Sequence, residues 1–143
     1  MKTLALLALL TAAGCRPHAG GQLTGAPSPR AAVESFLSAV RAQDIQALTN
    51  VWGDERGPAR DRLSRDEVDK RSLIMQCFFN HDRYRIVSDA TNQSGQHVFR
   101  IELTKGALTR ATNFTTTRGP SQRWYVEMAE TTPVKDLCEG VSK

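Results

Sequence analysis

Residues 83–129, RYRIVSDATNQSGQHVFRIELTKGALTRATNFTTTRGPSQRWYVEMA, carry a hydrophobic period of two residues, broken by short clusters of turn residues. Arg83 to Ala90 has strand composition, with Tyr84 and Ile86 on one face. Gln96 to Thr104 alternates, so that Phe99, Ile101 and Leu103 face one way and Arg100 and Glu102 the other. Leu108 to Thr117 is rich in threonine, has Phe114 as its main apolar residue, and suits a half-exposed strand. Gln122 to Ala129 sets Trp124, Val126 and Met128 against Arg123, Tyr125 and Glu127. Asn92 to Gly95, Lys105-Gly106 and Arg118 to Ser121 are turns too short for crossovers. The stretch therefore predicts a four-stranded antiparallel meander with one wet and one apolar face.

Upstream of it the period is that of a helix. Ser28-Pro29 is a start signal, serine as N-cap and proline at the first helical position. Val33, Phe36, Leu37 and Val40 then follow i, i+3, i+4, i+7. Asp44 can cap a second short helix carrying Ile45, Leu48, Val51 and Trp52, with Gly53 as its stop. Asp54 to Leu63, containing Gly57-Pro58, reads as a loop or surface turn. Ser64 to Glu67 is a capping box that opens a helix running to about Phe79 or Asn80. Its second half, Leu73 to Phe79, is apolar nearly all round and predicts burial on more than one side. The helices must cover the apolar face of the sheet, which makes the fold class α+β.

The chain begins with Lys2 and an apolar run from Thr3 to Ala13, a signal-peptide pattern too short to span a bilayer. Ala12-Ala13-Gly14 before Cys15 resembles the bacterial lipobox, with Ala12 where leucine is usual; Ala12-x-Gly14 also suits ordinary signal peptidase at the same bond. The expected organisation is a signal peptide at 1–14, a lipidated Cys15 with a flexible Gly/Pro/Ala/Ser-rich tether at 15–28, and one domain at 29–143. Acyl chains on Cys15 would hold the protein at a membrane. Arg16 after the cysteine, by resemblance to proteobacterial lipoproteins, implies the outer membrane facing the periplasm. With Cys15 acylated, Cys77 and Cys138 remain as an even pair in an oxidising compartment. A bridge between them would close a loop of about sixty residues, worth roughly 4 kcal/mol; two separately buried thiols are the alternative. The net charge is +4, but the basic residues do not cluster, and the charged run from Asp54 to Arg71 mixes both signs, which argues against a nucleic-acid partner.

The apolar helix at 31–48, AAVESFLSAVRAQDIQAL, running on to Trp52, followed by a further helix and an antiparallel sheet, resembles the nuclear-transport-factor-2-like superfamily. The resemblance covers about residues 29–131. It implies a cone-like fold, with helices packed on one face of a curved sheet, shared with ketosteroid isomerases and polyketide-cyclase-like proteins. It also implies a pocket between sheet and helices and a homodimer contact through the sheet. Many members place a short β-hairpin between the early helices, where residues 54–63 here read as loop.

Several constellations bear on chemistry. His81-Asp82, followed by Tyr84, resembles the acid–base groups of the enzymes in that superfamily, against a reading in which Asp82 turns the chain and His81 is solvated. Cys77, His81, His97 and Cys138 include zinc-ligand types, but their spacing matches no zinc module, so no metal site and no cofactor are expected. Trp52, Tyr84, Phe114 and Trp124 are the candidate pocket lining, whereas Phe36 and Phe99 read as core. Arg83, Arg85, Arg100 and Arg123 fall on the wet strand faces and form either a basic stripe or a solvated face paired with Glu102 and Glu127. The function expected is a non-catalytic binding or interaction module of the cell envelope, for a small apolar ligand or an envelope protein. The alternative is a small isomerase- or cyclase-type enzyme.

Overall fold

The local signals for helix are honoured by their hydrogen bonds. In the computed structural model, which describes residues 23–139, Ala31 N–H donates to Ser28 Oγ at 3.1 Å and opens α1, Pro29–Ala42. Gln43 ends it in the left-handed region at φ 53°, with its own N–H donating to the Val40 carbonyl and Asp44 N–H to the Ala39 carbonyl. Asp44 Oδ1 accepts from Ala47 N–H and starts α2, Ile45–Val51. Ser64 caps α3, Arg65–Phe78, through Glu67 N–H. The expected signal peptide, Cys15 and the tether as far as residue 22 lie outside the described residues.

The sheet follows the meander expected. Strands β3 (Arg83–Thr91), β4 (His97–Lys105), β5 (Leu108–Arg118) and β6 (Trp124–Ala129) pair antiparallel in the order β3-β4-β5-β6, and the sheet is open. Phe99 lies opposite Phe114, and Ile101 opposite both Ile86 and Thr112, which puts the apolar residues of three strands on one face. Phe36 of α1, Phe79 after α3 and Phe114 of β5 are fully buried and form a ring cluster, with centroids 5.1 to 5.8 Å apart. Burial of each such side chain contributes about 1.5–3 kcal/mol.

Five local expectations are corrected. The loop at 54–63 contains a minimal antiparallel pair, β1 (Gly53–Asp54) with β2 (Gly57–Pro58), and Gly53, Gly57, Pro58 and Ala59 are buried. A Cβ on Gly53 would run into the Gly57 carbonyl and Pro58, so the two strands approach where only glycine fits. The end of the tether is part of the fold: Ala26 N–H donates to the Trp124 carbonyl and the Ala26 carbonyl accepts from Trp124 N–H, both at 2.8 Å. Arg123 adds bonds to the Thr24 and Gly25 carbonyls, and Thr24 Oγ1 meets Tyr125 Oη at 2.7 Å. Tyr125, expected on the wet face, is thereby buried beneath this strap and Gly119. Leu73 and Ile74, expected inside, are 57% and 49% exposed. Met128, expected inward with Val126, is 60% exposed. The register shifts there: Thr115 pairs with Met128 but Thr116 with Val126, so Glu127 is an extra residue in a β-bulge, and Ala129 takes the inward place opposite Phe114.

The chain closes with α4, Lys135–Glu139, preceded by a 3-10 turn. Val134 and Leu137 are fully buried in the core. Cys138 of α4 lies at disulfide distance from Cys77 of α3, with a Cα–Cα separation of 4.8 Å.

Candidate functional site

The bulge in β6 and the exposed face of α3 enclose an apolar groove of about 250 Å³, with Trp52, Ile74, Met75, Val126, Met128 and Ala129 among its walls. Ile74 and Met128 stand on its rims, and Phe36 closes its floor. Trp52 is placed by the chain leaving α2: its N–H donates to the Leu48 carbonyl, and the residue bridges in parallel to Val126. Trp52, Arg71 and Glu127 are shared with an adjoining polar depression of about 410 Å³ that Asp54, Arg56 and Arg62 also line. The two halves form one amphipathic cleft between α3, β1 and β6.

The charges of the polar half are unevenly matched. Asp54 Oδ2 accepts from Arg56 at 3.0 Å and from Arg62 at 2.7 Å. Burial works upward on Asp54, yet the Arg56 side-chain and backbone bonds and the two guanidinium charges outweigh it and hold its carboxyl below the usual range. Arg62 also donates to the Gly57 carbonyl, and Arg71 is paired with Glu67 at 2.6 Å. Glu127 is in the opposite state. Burial pushes its carboxyl up, the Glu55 and Asp54 charges add to that, and its Gln96 partner offsets only part. Gln96 Nε2 donates to Glu127 Oε2, and no ion pair reaches Glu127 among the described residues.

Of the four aromatic residues expected to line a pocket, Trp52 alone borders the groove. Phe114 is inside the ring cluster and is core. Trp124 is buried between the strap at Ala26, the edge of His97 with centroids 5.4 Å apart, and Arg118, whose guanidinium sits 5.0 Å over its ring. Tyr84 lies on β3 against His81, edge to face at 5.6 Å, by a separate open depression of about 440 Å³ that Arg41, Ser38 and Glu34 also line. Residues missed by sequence reasoning are Ile74, Met75, Arg71, Glu127 and Met128. The all-round apolar second half of α3 was the visible signal for the first two.

His81 and Asp82 do not form a dyad. His81 is buried, and its Nδ1 lies 2.8 Å from the Phe79 carbonyl, which can only accept, so Nδ1 carries the proton. Burial pushes this imidazole down, against the Phe79 bond, with the Arg41 charge adding. Asp82 Oδ2 accepts from Gly106 N–H at 2.7 Å and ties the β4–β5 turn. The zinc-type residues are not gathered either. Cys77 and Cys138 face each other, and His97 Nδ1 is paired with Asp89 Oδ1 at 2.8 Å. In the basic stripe, Arg85 pairs with Glu102 at 2.7 Å and Arg123 is bound to the strap.

No protein-family model matches the sequence, and comparison with curated proteins and with solved structures gives no significant match.

Proposed function

We propose that this chain is an envelope lipoprotein, anchored at the outer membrane through Cys15, whose domain is a non-catalytic module that binds a small apolar ligand in the cleft between α3 and β6. In this reading the helices cover one face of a curved, cone-like sheet of nuclear-transport-factor-2-like type. The element order supports it: two early helices, a short β pair before a third helix, then the four-stranded meander. One observation carries the ligand reading. Ile74 and Met128 are about half exposed, at 49% and 60%, on opposite rims of a groove whose floor and walls are already apolar. Large exposed side chains flanking a concavity leave apolar area that a ligand can remove from water at about 25 cal/mol per Å².

The test is titration of the purified chain with 1-octanol, followed by Trp fluorescence and calorimetry. Saturable binding weakened at least tenfold in Ile74→Asp and in Met128→Asp supports the reading. Binding unchanged in both variants, or absent from the wild type, overturns it. For the anchor, palmitate labelling lost in Cys15→Ala is expected; an unlabelled wild-type protein removes the lipoprotein half.

A further inference from the structure

We infer that the ligand of this cleft is an amphipathic amine, with a short apolar body between Ile74 and Met128 and a protonated nitrogen against Glu127 and the face of Trp52. The inference rests on the groove being a ligand site, and it names the charge of the head group. The cleft has an apolar half and a polar half, and Trp52, Arg71 and Glu127 stand at the junction between them. A ligand whose body fills the first presents its head to those three residues.

What the head meets there is decided by which charges already have partners. Arg56 and Arg62 are held on Asp54, and Arg62 is further bound to the Gly57 carbonyl. Arg71 is held by Glu67 on its own helix. Among the described residues Glu127 has one neutral amide donor, from Gln96, and no cation within ion-pair distance. It sits in the bulge, where the extra residue of β6 delivers its carboxylate to the cleft rather than to the paired strand. The carboxylates of Asp54 and Glu55 act on it with like charge. A carboxylate head would add a further like charge. A hydroxyl head would make one neutral hydrogen bond. An ammonium head makes a charge-assisted bond, roughly twice as strong as a neutral one, and an indole face attracts the same cation through its quadrupole. Complementarity therefore selects a cation. The apolar volume of about 250 Å³ selects a short body, since pockets that take drug-sized ligands run from roughly 300 Å³ upward.

Octylammonium, 1-octanol and octanoate share one tail and differ in head charge, so calorimetric titration of the full chain with each at pH 7.5 tests the inference. Octylammonium is expected to bind at least tenfold more tightly than octanol, and octanoate more weakly than octanol. In Glu127→Gln, which keeps an acceptor for Gln96, the ratio of octylammonium to octanol affinity should fall to within about twofold. Trp52→Leu also removes a wall of the groove and should weaken all three probes, with the octylammonium-to-octanol ratio falling as well. Equal affinity for octanol and octylammonium, tighter octanoate, or an ammonium preference that survives Glu127→Gln overturns the amine inference and leaves the apolar groove standing. No saturable binding by any of the three overturns both.

Discussion

Replacing Phe114 by alanine separates a filled core from a pocket wall. The ring is fully buried, with centroids 5.4 Å from Phe36 and 5.1 Å from Phe79. Three rings from α1, the end of α3 and β5 thus lock together, and truncation leaves a hole that neighbours on three elements cannot fill. In a close-packed interior that costs about 3–5 kcal/mol, the aromatic contacts included. Were the ring the wall of an open cavity, one side would already lack partners and the cost would fall below about 1.5 kcal/mol. Urea unfolding at 25 °C reads the difference: with m about 2 kcal/mol per M, a loss of about 4 kcal/mol moves the midpoint by about 2 M. A domain of this size has about 5–15 kcal/mol in total, so Phe114→Leu, expected to cost about 1.5 kcal/mol, supplies a folded companion. Because Phe114 does not border the cleft, octanol affinity in Phe114→Leu should stay within twofold. A loss below 1.5 kcal/mol in Phe114→Ala, or a folded Phe114→Leu that no longer binds, refutes the assignment of Phe114 to the core.

The Cys77–Cys138 pair encloses 61 residues of separation, and a bridge there is worth about 4 kcal/mol in the chain-entropy model; the double alanine variant should lose about that much, and free thiols in the unreduced native protein would contradict it. Tyr125→Phe removes the Thr24 side-chain bond and should cost about 1 kcal/mol by urea midpoint, with exchange of the Gly25 amide, bonded to the Asn50 carbonyl, rising; unchanged exchange would mean the strap is held without it. A Cβ at Gly119 would lie 2.7 Å from the Tyr125 ring and 3.0 Å from the Asp54 carbonyl, so Gly119→Ala should destabilise by about 1–3 kcal/mol; a neutral result would show that the ring can retreat. His81 is held below its ordinary value of 6.5 by burial, so the unfolded chain binds more protons. Stability is therefore full above that value and lost as pH falls from it through the folded pKa. Arg41, Asp82 and Tyr84 are its charged and titratable surroundings. Relative to wild type, His81→Gln should lose less stability between pH 7.5 and 5.5, and equal losses would place the dependence elsewhere.

The helix starts at Ser28 and Ser64 and the inward row Phe99, Ile101 and Leu103 were legible because each is set by residues within one turn or one strand. What was not legible depends on partners far along the chain. Gly25-Ala26 carries no side-chain pattern, and its place is fixed by backbone bonds to Asn50 and Trp124. Leu73 and Ile74 read as interior because the end of α3 is apolar all round, yet coverage depends on which elements reach it. Here α4 meets that end on the side of Cys77 and leaves these two exposed.

The cleft itself is the sharpest case. From Trp124 to Met128 the alternation of apolar and polar residues is unbroken, and a continuous strand would bury Met128 and expose Glu127. The bulge exposes Met128 and half-buries Glu127: it is a property of the pairing with Thr115 and Thr116, and no residue of β6 announces it. Met128 reaches the rim, Ala129 takes the smaller inward place, and the space released beside Trp52 and Met75 is the groove. The same shift sets Glu127, half-buried, at the edge of that space. A single unpaired residue thus sets the apolar volume and the carboxylate side by side. It also makes the two halves of the site inseparable: a change that restored regular pairing in β6 would be expected to close the groove and withdraw the charge together.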